Sequence, residues 1–128
     1  MQYLLDTHVI IWLTGIDDWK LSPKSKELIL SGLNSLAISI ISLWEIALKV
    51  NKGKLDLGIS LEELIEKIQE SNITILCVKP EHILGLSKLP YHHNDPFDRL
   101  LISTAIIENA TLITADENIQ KYNVGWVW

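Results

Sequence analysis

The sequence predicts a three-layer α/β/α fold, with a mainly parallel sheet covered by helices on both faces. Three observations lead there. Strand-like apolar runs alternate with helical patterns along the chain, with no repeat and no long linker, and strands joined through helices pair in parallel and are buried on both sides. Capping signatures mark several helix starts. Four carboxylates, Asp6, Glu45, Asp98 and Asp116, each sit where an apolar run gives way to a turn or a helix start. In parallel α/β sheets the carboxyl ends of the strands line one crevice, so acids far apart in sequence can share a site.

The elements follow in order. Residues 2 to 5 read as a buried strand, 8 to 14 as a helix, and 23 to 32 as a helix opened by Pro23, proline being favoured at the first helical position. Residues 35 to 40 read as the second strand. Ser42-Leu43-Trp44-Glu45 has the form of a capping box, with the helix running to about Asn51 and stopping near Gly53. Ser60-Leu61-Glu62-Glu63 repeats that signature and opens a helix with Leu61, Leu64, Ile65 and Ile68 on one face. Residues 73 to 78 form the third strand, and Pro80 starts a short helix ended by Leu89-Pro90. Asp95-Pro96-Phe97-Asp98 reads as a cap, a first-turn proline and a first-turn acid on a helix reaching about Asn109. Residues 111 to 114 give the fourth strand, a short helix starts at Asp116, and Gly125-Trp126-Val127-Trp128 is the terminal strand.

Length and composition fit a single domain over residues 1 to 128, since 128 residues with 48% apolar content can bury a core without disulfides or metal staples. The single cysteine, Cys77, follows Ile73-Thr74-Ile75-Leu76 and reads as a small core residue in a reducing compartment. No apolar run approaches the roughly 20 residues a spanning helix needs, and no basic region precedes the first one. A cytoplasmic protein without a membrane partner is the expectation. The net charge of −5 argues against a protein that holds nucleic acid by a global positive field. Local basic groups remain: Lys20, Lys24 and Lys26, then Lys49, Lys52 and Lys54. Solvated helix faces account for both, but the second follows Glu45 closely and is kept, with Arg99, as a candidate RNA contact.

Each acid has a purely structural reading as well. Asp6 and Asp116 can cap the helices that follow them, Glu45 can close the capping box, and Asp98 can complement a helix dipole. The joint pattern favours chemistry, because magnesium and manganese take hard oxygen ligands and ions held by shared carboxylates promote phosphodiester cleavage. No Cys/His cluster has zinc spacing, and there is no glycine-rich phosphate loop or nucleophile elbow. Of the neighbours His92 and His93, at most one can face the acids, as a metal ligand or a hydrogen-bond partner. His8 falls on the first turn after Asp6 as a polar partner. Trp12, Trp44, Trp126 and Trp128 lie in apolar patterns and read as core; Trp19, in a polar loop, is unassigned.

At these residues the chain resembles the PIN-domain ribonucleases, in particular the VapC-type toxins of prokaryotic toxin-antitoxin pairs. Four segments carry the resemblance, in order along nearly the whole chain: Leu4-Leu5-Asp6-Thr7-His8-Val9, Ser39 to Lys49 around Glu45, His92 to Ile102 around Asp95-Pro96-Phe97-Asp98-Arg99, and Leu112-Ile113-Thr114-Ala115-Asp116. The resemblance implies that Asp6, Glu45, Asp98 and Asp116 bind Mg2+ or Mn2+ and position an attacking water, with Thr114 and Asp95 as accessory polar groups. It also implies strand order 3-2-1-4-5, a homodimer, an RNA substrate and a VapB-like antitoxin that blocks the site. Asn94 stands where the subgroup usually has a basic residue, and Ser103-Thr104 where it has an Ala-Gln pair. Those departures touch local RNA contacts and leave the four acids intact.

The expected function is therefore a metal-dependent endoribonuclease acting as a toxin. Two rivals stand beside it: a PIN nuclease in RNA processing without an antitoxin, and a non-catalytic metal-binding or interaction domain. A phosphoryl-transfer domain with Asp6 as nucleophile is disfavoured, because Asp6-Thr7-His8 lacks the second acid two residues on.

Overall fold

Strand alternation decides the layering. In β1 (Gln2–Leu5), β2 (Ser35–Ser39) and β4 (Thr111–Ile113), successive side chains point to opposite faces. Leu4, Ala37 and Leu112 therefore enter one apolar cluster, while Leu5, Ile38 and Ile113 enter another. The chain, seen here in a computed structural model, is described over residues 2–128. With β3 (Ile73–Leu76) and β5 (Trp126–Val127), these strands form a five-stranded sheet in the order β3-β2-β1-β4-β5, every neighbouring pair parallel. The expected strand order is the observed one. β1 lies at the centre, Leu4 opposite Ala37 on one side and Leu112 on the other.

Among the described residues, seven α-helices cross over between strands: α1 (Thr7–Leu13), α2 (Pro23–Leu30), α3 (Ile40–Asn51), α4 (Leu61–Glu70), α5 (Pro80–Gly85), α6 (Pro96–Ile107) and α7 (Glu117–Gln120). Val9 and Ile10 of α1, Leu43 and Ile46 of α3, and Leu64 and Ile68 of α4 cover one face. Leu101, Ile102 and Ala105 of α6, with Ile119 and Tyr122, cover the other. Both faces are thus buried, as a parallel sheet requires. Among the described residues no helix is long and apolar enough to cross a membrane.

Most helix starts follow the expected caps. Ser22 accepts the Ser25 amide, Ser60 the Glu63 amide and Asp95 the Asp98 amide, and proline occupies the first turn of α2, α5 and α6. The second strand and third helix differ from expectation. Ser39 caps the Ile41 amide at 3.1 Å, so α3 begins directly at the end of β2 and not at a Ser42 cap. Ser42 becomes an internal residue that accepts a hydrogen bond from the Thr7 hydroxyl at 2.9 Å, tying α3 to α1.

Three side-chain expectations are also corrected. Cys77 is exposed, because β3 is an edge strand that ends at Leu76. Trp44 and Trp126 are exposed rather than core, Trp44 lying edge-on against Phe97 at 5.0 Å. Trp12 and Trp128 do pack on the core, 5.7 Å from each other.

Candidate active site

The sheet brings the carboxyl ends of β1 and β4 side by side. The Asp6 amide donates to Ile113 O at 3.1 Å, so the residues that follow the two strands are neighbours. Thr114 joins them. Its hydroxyl donates to Asp6 Oδ2 at 2.8 Å and accepts the Asp116 amide at 3.0 Å, and Thr114 itself is fully buried. Asp116 in turn caps α7 by accepting the Asn118 amide at 2.8 Å. Beside these groups opens a cleft of about 250 Å³ lined by Asp6, His8, Trp12, Ala115 and Asp116.

Asp98 reaches the same region from the first turn of α6. Burial pushes its carboxyl up to about 7, against a hydrogen bond from His93 that favours ionisation; Asp95, Asp6 and Asp116 add repulsion. Asp6 is likewise raised, chiefly by burial, with Thr114, His8 and the Thr7 amide opposing and Asp116 adding repulsion. Asp6, Asp98 and Asp116 therefore feel one another's charge. Glu45 is buried but faces another partner, Lys49 Nζ at 3.1 Å one helical turn on.

Among the described residues, no three His, Cys, Asp or Glu side chains converge as a ready-made metal ligand set. Each acid is turned to its own partner: Asp6 to Thr114, Asp98 to His93, Asp116 to the α7 amide, Glu45 to Lys49. The donor chemistry nevertheless suits a hard divalent cation. Carboxylates that burial and mutual repulsion both destabilise gain most from a counter-charge.

His93 is the histidine that faces the acids, its Nε2 3.0 Å from Asp98 Oδ2; His92 is exposed and packs edge-on against Tyr122. Asp95 is a helix cap that also raises the Asp98 carboxyl. Arg99 is not free to meet RNA. It is 5% exposed, its Nη1 donates to Pro90 O at 2.7 Å and to the Tyr122 hydroxyl at 3.0 Å, and its guanidinium stacks 3.8 Å from the Tyr91 ring. Lys52 and Lys54 are exposed past the end of α3. Ser103 and Thr104 are buried and bond to His82 O and Leu100 O, away from the acids. Tyr122 was missed by sequence reasoning, since it lies 29 residues beyond His93 with no motif of its own.

A PIN domain family model matches residues 3–125. Ribonuclease VapC22 of Mycobacterium tuberculosis is 27% identical over 120 residues, 93% of this chain and 90% of that protein. A solved structure of VapBC2 from Rickettsia felis bound to a promoter DNA fragment contains a chain that superposes with a TM-score of 0.71 at 25% identity, covering 99% of this chain and 98% of that one. A chain of VapBC-1 from nontypeable Haemophilus influenzae has the same fold, with a TM-score of 0.63 at 20% identity over 99% and 97% of the two chains. The family match runs from β1 to the threshold of β5 and takes in all four acids, and the chain belongs to the PIN domain family.

Proposed function

We propose that this protein is a metal-dependent endoribonuclease that acts as the toxin of a toxin-antitoxin pair. The observation that carries the reading is the group of buried, mutually repelling carboxylates where β1, β4 and α6 meet. The nuclease name of the similar mycobacterial protein and the toxin-antitoxin complexes among the similar structures support it. Asp6, Asp98 and Asp116 are the groups that would hold Mg2+ or Mn2+, with Glu45 joining once its pairing to Lys49 opens. A divalent cation supplies charge that activates a water and stabilises the leaving oxygen of a phosphodiester.

The rest is the work of the chain itself. Thr114 hydrogen-bonds the Asp6 carboxylate and the Asp116 amide, so the segments that follow two adjacent strands keep their spacing. The Asp95 cap holds the first turn of α6, and with it Asp98. Lys49, beside Glu45, and exposed Lys52 and Lys54 supply positive charge to an RNA backbone approaching from α3.

A VapB-like antitoxin is the proposed partner. An apolar cleft of about 160 Å³ beside α1, lined by Leu13, Leu64, Ile68 and Ile73 among others, offers a seat for an apolar partner segment. An Arg from that segment would satisfy the acids by paired, charge-assisted hydrogen bonds. A homodimer is also proposed. Ile40 and Trp44 of α3, Ile83 and Leu84 of α5, and Ile106 and Ile107 of α6 are exposed, and α6 packs against both other helices.

The deciding assay is RNA cleavage by purified protein with magnesium, manganese or chelator. Cleavage that needs the cation and is lost in Asp6→Asn and Asp98→Asn, both still folded, is expected. An Asp98→Asn protein cutting at the parent rate would sink the assignment. Co-expression with a VapB-like protein encoded beside it, where there is one, with and without the Arg it presents to the acids, separates a toxin from a nuclease that has no antitoxin.

A further inference from the structure

Arg99, Tyr122, His93 and Asp98 form one unbroken hydrogen-bonded chain, and its direction can be deduced. A guanidinium can only donate, so the Tyr122 hydroxyl accepts from Arg99 Nη1 at 3.0 Å. The His93 amide donates to the same oxygen at 3.3 Å. Both lone pairs of that oxygen then face donors. Its own proton has two acceptors within reach, His93 Nδ1 at 2.9 Å and His93 O at 3.3 Å, and the shorter, ring-directed bond is favoured.

Nδ1 thus accepts, and a neutral imidazole carries its proton on Nε2. That nitrogen lies 3.0 Å from Asp98 Oδ2 and donates to it. The other tautomer would put a lone pair against the carboxylate. An imidazolium would put a third donor on a tyrosine oxygen that has two lone pairs. Tyr122 is buried, and Arg99 is anchored by Pro90 O and the Tyr91 ring, so the first two members cannot easily turn away.

We propose that Arg99 and Tyr122 lock His93 in its Nε2–H tautomer, so that its N–H is aimed at the Asp98 carboxylate and orients it. The three are positioning residues for cation binding. The functional half of this inference rests on the reading of Asp98 as a cation ligand; the tautomer lock does not. The arrangement explains why an arginine immediately after Asp98 is buried and turned away from solvent. It acts on Asp98 through two intermediates, at the far end of a chain that starts one residue away.

The test separates the two halves. In metal-free protein at a pH well above 7, where Asp98 is ionised, long-range 15N–1H correlation of the imidazoles, with His93 assigned by His93→Gln, should show the Nε2–H tautomer in the parent and a mixture in Tyr122→Phe. That variant keeps the buried ring and removes only the hydroxyl. Calorimetry with Mn2+ should show affinity falling about tenfold or more in Tyr122→Phe, as for other partners that orient a metal ligand. His93→Gln, whose amide nitrogen reaches the place of Nε2, should stay close to the parent, while the shorter His93→Asn should resemble Tyr122→Phe. An Nδ1–H tautomer in the parent, or an unchanged spectrum and affinity in Tyr122→Phe, would overturn the lock. If Asp98→Asn binds Mn2+ like the parent, the ligand reading fails, and the orienting role with it, while the lock is decided by the spectrum.

Discussion

Asp98→Asn should stabilise the cation-free protein at neutral to alkaline pH, a gain where loss of a buried charged group ordinarily means damage. In the fold this carboxyl is pushed up to about 7, from the 3.8 usual for an aspartate in water. The folded state binds the proton more tightly than the open chain. Its contribution is therefore fully present below about pH 3.8 and is lost as pH rises through about 7. At pH 8 the full difference corresponds to roughly 4 kcal/mol at 1.36 kcal/mol per unit. The side chain is still 15% exposed, and water screens it, so about half of that, ~2 kcal/mol, is the measurable effect. A first-turn acid on a helix gains roughly 0.3–1 kcal/mol, which trims the gain further. Asparagine keeps the shape, and its amide oxygen still accepts from His93. Urea unfolding of both proteins at pH 5 and pH 8, in chelator, measures the change across pH and cancels pH-independent effects of the substitution. The variant's relative stability should improve by about 1 kcal/mol between those values. Adding Mn2+ should reverse the order, since only the parent keeps the charge that binds it, and a hundredfold excess over the dissociation constant is worth about 2.7 kcal/mol. A difference that stays flat or shrinks from pH 5 to pH 8 would refute the reasoning.

Two further outcomes follow from packing. A Cβ at Gly85 would collide with Ser103 Oγ, where α5 presses on α6; Gly85→Ala should cost about 1–3 kcal/mol. Ser103→Ala removes that oxygen and a hydrogen bond to His82 O, so the double variant should cost at least ~0.5 kcal/mol less than the sum of the singles in thermal melts. Arg99→Lys should lower stability by about 2 kcal/mol, because a shorter, non-planar ammonium cannot place a donor between Pro90 O and Tyr122 and also keep the planar stack on Tyr91. Unchanged melting with weakened RNA binding would return Arg99 to the surface role its charge suggests.

The fold was legible because each strand end carries its own punctuation. Pro23, Ser60 and the Asp95-Pro96 pair start helices where their chemistry predicts, and the parallel sheet follows from the alternation. The start of α3 was misplaced because Ser39 and Ser42 are both competent caps. Which one is used depends on where the strand ends, a tertiary matter. Glu45 could be picked out, but not its pairing with Lys49 in preference to the other acids. Cys77, Trp44 and Trp126 follow apolar or β-rich letters, yet lie on an edge strand or an outer helix face that pattern alone cannot locate. The Arg99–Tyr122–His93 chain was invisible for a different reason. Its members are joined by a fold that returns the segment after α7 to the loop before α6, and no local spacing encodes that return.

Thr114, the hydroxyl that ties Asp6 to Asp116, also sets a timetable. The central strand is made before its neighbour β4, and Asp6 before the threonine that follows β4 by 108 residues. Domains assemble as their parts emerge, and here Asp6 waits for the segment after β4 before it has its partner. A chain still being translated thus carries Asp6 on an unfinished sheet edge, with neither Thr114 nor Asp116 beside it. An enzyme that attacks RNA would, built this way, be unarmed toward its own message until the segment carrying Thr114 and Asp116 has emerged.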